Sequence, residues 1–344
     1  MGVALNRSVQ PLLRWIARIV LALVILVVLL VAAGAGWQWL ASLRDTRAYP
    51  PPGELVDLGD YRLHLFCMGE GSPTVILDAL GDGTSAHWGW VQPIVAEQTR
   101  VCAYDRAGKG WSEAGPTPRD GRTIAQELHT LLANAQIEGP VVVVGHSFGG
   151  LIGRIYADLY PQQVAGMVLV DPGLPELRSD RMPAEAHAQA SADVELMNMA
   201  PWMARLGIFR LVGSGSTLPE PQHSHVEAFY ASTQHWQTLL LEAQALPTTD
   251  AQVAATGSLD DRPLLVIAAT TGWVDPTAPS DESRRIYNTM QQELLLPLST
   301  NSAYREVEGA SHGSLVMDQA YAAQVAAGIG DVVEAVRTGS RLSP

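Results

Sequence analysis

Cysteine is nearly absent from this chain of 344 residues, with only Cys67 and Cys102 present. No metal or Cys-x-x-Cys redox motif includes them, which removes zinc-ribbon, iron–sulfur and dithiol chemistry as readings. Positive charge is also scarce. Lys and Arg number 22 against 35 Asp and Glu, for a net charge of −13. An acidic body is repelled by phosphate backbones and anionic lipid headgroups, so nucleic acid is not an expected partner, and surface charge does not explain attachment to a membrane. Gly69-Glu70-Gly71-Ser72 lacks the Gly-Lys-Ser/Thr of a phosphate loop and reads as a turn. His223-x-His225 lacks a carboxylate or cysteine at ligand spacing, so no metal or other cofactor is expected. There are no internal repeats.

A long apolar run is present. From Ile19 to Leu43 no residue is charged, and about 20 apolar residues suffice to cross a bilayer. Trp37 and Trp39 stand where an interfacial aromatic belt would lie. Arg7, Arg14 and Arg18 precede the run and no acidic residue does. The positive-inside bias therefore predicts a single-pass anchor, with residues 1–18 as a cytoplasmic tail, 19–43 as the transmembrane helix and the rest extracytoplasmic. A cleavable signal peptide ending near Ala33-Gly34-Ala35 is the competing reading, but signal h-regions run about 7–15 residues.

After a stiff Pro-rich linker, 44–53, the residues Leu55 to Cys67 alternate as a hairpin turning at Gly59-Asp60. Short apolar strands then recur at Thr74–Leu77, Val101–Tyr104, Val141–Val144, Met167–Val170, Leu264–Ala268 and Tyr304–Val307. Helical patterns lie near 122–136, 150–160, 281–294 and 318–337. Strands alternating with helices imply an α/β fold whose mostly parallel sheet is covered on both faces. The alternation breaks between 172 and 262. That stretch is too long for a loop and reads as a helical cap inserted between two strands of a core formed by 54–171 and 263–338.

Four valines, Val141 to Val144, run into Gly145-His146-Ser147-Phe148-Gly149-Gly150, and a helical pattern follows. A buried strand, a Gly-x-Ser-x-Gly turn and a helix together form the context of a nucleophile elbow, which makes Ser147 the candidate nucleophile. A serine needs a base, a carboxylate to orient that base, and oxyanion donors. His146 is adjacent on the strand and points its ring away from Ser147. His312, in Gly309-Ala310-Ser311-His312-Gly313, directly follows the last strand and is the expected base. For the acid, Asp275 follows the Leu264–Ala268 strand and is preferred, while Asp171, at the end of the preceding strand, competes.

These pieces, in this order, resemble the α/β-hydrolase superfamily, specifically its capped serine hydrolases. The turn Asp105-Arg106-Ala107-Gly108-Lys109-Gly110-Trp111-Ser112, the elbow, the Gly272-x-x-Asp275 loop and Gly309-Ala310-Ser311-His312 all carry the likeness, which covers residues 54 to about 337. It implies an eight-stranded sheet with the cap between strands 6 and 7. It also implies structural roles for Asp105 and Arg106, and a backbone oxyanion hole. One piece departs from the pattern: Leu77-Asp78-Ala79-Leu80-Gly81 stands where the family carries His-Gly-x-Gly. Leu80 and Phe148 are then the expected donors, and a shift of one residue would substitute Gly81 for Leu80. In this fold the strand ending at Cys67 lies beside the strand holding Cys102, which implies a disulfide; two buried free thiols are the alternative.

The expected function is hydrolysis of a carboxylic ester or related acyl bond through an acyl-serine, on a small and apolar substrate. Met197, Met199, Trp202, Met203 and Phe209 of the cap are either its core or the lining of an acyl pocket. Amide cleavage, acyl transfer and perhydrolysis on the same scaffold, or a catalytically inactive binding domain, are the alternatives. Oligomeric state is not legible in the sequence.

Overall fold

A computed structural model describes residues 9–178, 197–272 and 281–343. Its centre is an eight-stranded sheet of β1 (Glu54–Asp57), β2 (Arg62–Met68), β3 (Val75–Asp78), β4 (Val101–Tyr104), β5 (Val141–His146), β6 (Val164–Val170), β7 (Leu264–Ala269) and β8 (Ser302–Val307). The strand order is β1-β2-β4-β3-β5-β6-β7-β8. β2 pairs antiparallel with β1 and β4, and every other pairing is parallel. The order reverses at β3, with β4 on one side and β5 on the other. A crevice therefore opens beyond the carboxyl ends of β3 and β5, the usual place for a site in an α/β sheet.

The valine run of β5 is apolar throughout because both of its faces are buried. Val141 and Val143 join one core layer, with Leu169 and Val266, beneath α3 (Gly121–Asn134) and α4 (Phe148–Leu159). Val142 and Val144 join the other, with Val168 and Ile267, beneath α2 (Val91–Ala96) and α11 (Gln319–Thr338). Each such side chain is worth roughly 1.5–3 kcal/mol of apolar burial. The ends of α11 are set locally. The Asp318 carboxylate accepts from the N–H groups of Ala320 and Tyr321, and Gly339 turns left-handed at φ 69° to close the helix.

Antiparallel pairing places Cys67 directly opposite Cys102. Their Cα atoms are 4.0 Å apart and the disulfide is formed. Between β6 and β7 the described residues hold helices and no strand: α5 (described over 197–205), α6 (Phe209–Val212), α7 (Gln222–Tyr230) and α8 (Thr233–Ala254). One boundary differs from expectation. α1 runs unbroken from Val9 to Ala48, so residues 44–48 of the expected linker are helical. Nothing before Pro50 breaks the helix, Arg47 complements its C-terminal dipole, and Asp45 is held by an ion pair to Arg210 at 2.6 Å.

Candidate active site

β5 ends at His146 and α4 begins at Phe148, so the reversal falls on Ser147 alone. Its backbone stands at φ 55°, ψ −116°, a conformation that persists only where neighbours enforce it. Ser147 N–H donates to Val170 O at 3.0 Å, and Ser147 O accepts from Gly150 N–H at 3.0 Å and Gly173 N–H at 2.9 Å. A Cβ on Gly145 would lie 2.4 Å from Gly149 O, and one on Gly149 would lie 2.5 Å from Asp78 O. Only glycine fits at either place, which is why the sequence signal is so sharp there.

His312 lies in the loop between β8 and the short helix α10 (Ser314–Met317). That loop is anchored to the end of β7 by the Thr270 and Thr271 N–H groups, which donate to Ala310 O at 3.1 and 2.9 Å. A second anchor comes from His146, a residue the sequence reading set aside. Its Nε2–H donates to His312 O at 3.0 Å. Burial, reinforced by His312, pushes the His146 imidazole well below its usual range, so it is neutral and acts here as a donor.

Among the described residues, the carboxylate on His312 is that of Asp171. Its Oδ2 is 2.7 Å from His312 Nδ1. Asp275, the acid preferred from the sequence, falls among residues 273–280, outside the described residues. Asp171 terminates β6 at φ 41° and is also gripped by the Arg284 guanidinium and by Gln291 Nε2 at 2.9 Å. Burial alone would raise its pKa. The charges of Arg284 and His312 outweigh that and hold it well below the usual carboxylate range, so it is ionised. Arg284 sits on α9 (Asp281–Leu295), whose start looked in the sequence like an ordinary acidic helix terminus. Nothing local in the sequence announced its partnership with a residue 113 positions away.

Ser147 and His312 line one cavity of about 440 Å³, together with Leu80 and Gly81. Among the described contacts no hydrogen bond joins the Ser147 hydroxyl to His312; such bonds are often long before substrate binds and tighten in the complex. The 79–81 loop is set by Arg106, which is 3% exposed. Its guanidinium donates to Ala79 O (2.7 Å), Leu80 O (2.6 Å) and Gly81 O (2.9 Å), pairs with Asp78 (2.6 Å) and Glu242 (3.3 Å), and lies over the Phe148 ring. In a trans peptide the N–H opposes the carbonyl. Pinning the Ala79 and Leu80 carbonyls on Arg106 therefore turns the Leu80 and Gly81 N–H groups the other way. Among the described residues neither N–H is taken by a protein acceptor. Lys109, the single lysine of the chain, is buried against Glu242 at 2.6 Å and also donates to Gly81 O. Burial pushes its ammonium down to about 8, against the pull of Glu242. The resemblance implied a structural role for Arg106. The structure makes that role specific: it holds the loop that carries the expected oxyanion donors.

The cap residues divide. Met197 lines the cavity, Met203 and Phe209 pack with Ala200, Ala204, Tyr230 and Trp236, and Met199 and Trp202 are exposed. The remaining wall is mixed, with Val226, Phe229, Tyr230 and Met317 beside Asp82, Thr84, His87, Ser214, Ser216 and His235. A second His–Asp pair exists, His64 Nδ1 to Asp105 at 2.9 Å, but both side chains are fully buried and no substrate reaches them. His223 and His225 do not meet a third ligand: His223 Nδ1 contacts Ser216 O, and His225 packs its ring against Trp111.

The family profile described as "alpha/beta hydrolase fold" matches residues 73–313. The chain belongs to that family. An uncharacterised protein of Schizosaccharomyces pombe is 32% identical over 124 residues, covering 36% of this chain and 22% of that protein, so the match spans under a quarter of that relative. Among solved structures, a candidate lipase of Acinetobacter baumannii superposes with a TM-score of 0.63 at 17% identity, covering 88% of this chain and 97% of the other. A structure described as a membrane phospholipase A, a bacterial virulence factor, superposes at 0.57 with 18% identity, covering 94% and 99%. At these identities the superpositions speak to fold.

Proposed function

We propose that this protein is a membrane-anchored serine hydrolase cleaving a carboxylic ester or related acyl bond. One observation carries the reading. A strained elbow serine shares a cavity with a histidine whose Nδ1 meets a buried ionised carboxylate, beside backbone N–H groups that, among the described residues, no protein acceptor uses. In the reaction, His312 Nε2 accepts the Ser147 proton as Oγ attacks the acyl carbon. Asp171 holds the imidazole tautomer and stabilises its charged form. The N–H groups of Leu80 and Phe148 receive the oxyanion, each worth on the order of 3 kcal/mol in the transition state. His312 then returns the proton to the departing alcohol, and water hydrolyses the acyl-serine by the same steps.

α1 is long and apolar enough to span a bilayer and supports the anchor. The formed disulfide supports an oxidising, extracytoplasmic location for the domain. A fluorophosphonate probe tests the reading directly. Wild-type protein in its native state is expected to label, and Ser147→Ala is expected not to. A folded wild-type protein that resists the probe would remove serine hydrolysis.

A further inference from the structure

Outside α1, the exposed large apolar side chains among the described residues are Met199, Trp202, Leu211, Val212 and Leu241, and four of these five fall on one stretch of the cap, α5 to α6. Monomeric surfaces scatter such residues singly; a cluster marks a contact. Two further features say what the contact is. The stretch 197–212 carries Arg205 and Arg210 and no acidic residue, in a chain of net charge −13. It is also fastened to α1 at a defined height. Gly34 lets the helices approach so closely that a Cβ there would stand 2.9 Å from Leu206 O, and Gly207 meets Trp37. One turn on, Gln38 Nε2 donates to Ala231 O at 2.7 Å, and Arg210 donates to Gln38 at 2.6 Å and to Asp45 at 2.6 Å.

With α1 read as the anchor, that height is the membrane boundary. At about 1.5 Å per residue, a hydrocarbon core of about 30 Å entered at Ile19 is left about twenty residues later, near Gln38. Leu206 and Gly207 are held against residues 34 and 37, by the same rise about 7 and 3 Å inside the hydrocarbon edge. Trp202, with the Arg205 guanidinium 4.8 Å from its ring centre, is the aromatic–cation pair suited to that interface. The same helix α5 carries Met197, which lines the catalytic cavity.

We infer that the α5–α6 face of the cap lies in the bilayer interface beside the anchor, and that the site takes acyl esters of bilayer lipids, which reach Ser147 along the Met197 end of α5. This rests on reading α1 as a membrane anchor and the cavity as a hydrolase site.

The test uses full-length protein in phosphatidylcholine vesicles containing spin-labelled lipid. Both native cysteines are in the disulfide, so a single introduced cysteine takes a fluorophore selectively. Lipid quenching is expected at Leu211→Cys and at Val28→Cys in the anchor, and not at Glu334→Cys on the exposed side of α11. Quenching at 28 without quenching at 211 overturns the inference and leaves the anchor standing. No quenching at 28 overturns both. Shielding of 211 from aqueous iodide without lipid quenching would assign the face to a second copy of the chain and overturn it too. The paired variant Leu211→Glu with Val212→Glu is expected to lower hydrolysis of a vesicle-borne long-chain ester at least tenfold, while hydrolysis of a water-soluble short-chain ester changes less than twofold. Equal loss on both substrates overturns the lipid route, and a wild-type protein inactive on both overturns the substrate assignment while the quenching result still reports the docked face.

Discussion

Replacing Asp171 with asparagine separates the carboxylate seen on His312 from the one favoured by chain order. Two effects set the size of the change. In the chemistry, an amide at this position no longer enforces the productive tautomer or stabilises the imidazolium, a loss of about four orders of magnitude in kcat for a Ser-His-Asp arrangement, or about 5.5 kcal/mol at 1.36 kcal/mol per tenfold. In stability, Arg284 is 2% exposed and loses its anionic partner while retaining Ala269 O and the neutral amide. Breaking a buried pair costs about 3–5 kcal/mol. Asp171→Asn should therefore fold with a depressed melting temperature and lose about 10³- to 10⁴-fold in kcat on a chromogenic ester, measured well below that midpoint. Asp275→Asn should stay within about threefold of wild type. The pH dependence adds a check. Because Asp171 is held below the ordinary carboxylate range, its stabilisation is present above the unfolded pKa of about 3.9 and drains away as pH falls toward the folded value. Denaturation curves of the variant should thus slope less steeply with pH below about 4. A folded Asp171→Asn protein retaining more than a tenth of wild-type kcat, with Asp275→Asn down a thousandfold, would refute the assignment.

Arg106→Lys keeps one buried charge but cannot reach three carbonyls and two carboxylates at once; kcat is expected to fall about 10²- to 10³-fold, the worth of one oxyanion donor, with a much smaller change in KM. Removing the disulfide by Cys102→Ser opens a covalent loop of 35 residues, which the chain-entropy relation values at about 3–4 kcal/mol, readable as a lower denaturant midpoint that added reductant shifts no further. Gly149→Ala drives a methyl into Asp78 O and should leave little folded protein or abolish probe labelling; normal labelling would contradict the elbow packing.

Much of this molecule was readable in one dimension because it is written in local patterns. Val141 to Val144 had to be a strand buried on both sides, Gly145 and Gly149 had to flank a tight reversal, and the uncharged run from Ile19 to Leu43 had to be a helix of spanning length. Each follows from sterics or solvation acting within a few residues. The resemblance added the partnering of Cys67 with Cys102, since it supplied the strand neighbours. The helix runs on to Ala48 past the expected span because that span was ended at the first charge, Arg44; charge limits a membrane span but not a helix, and Asp45 pairs with Arg210 beyond it.

Long-range charge pairing was not readable. Asp171 follows a strand, and chain order does not measure where Arg284 brings its guanidinium. Arg106 and His146 looked like scaffold because nothing in their neighbours records which carbonyls they hold. The sequence by itself determined the strands, the elbow serine, the histidine loop and the apolar helix, because dihedral sterics and burial act on consecutive residues. That Asp171 meets the imidazole, what orients the 79–81 loop and where the cap stands against α1 were decided only when the folded chain placed a few fully desolvated charges within hydrogen-bond range of one another.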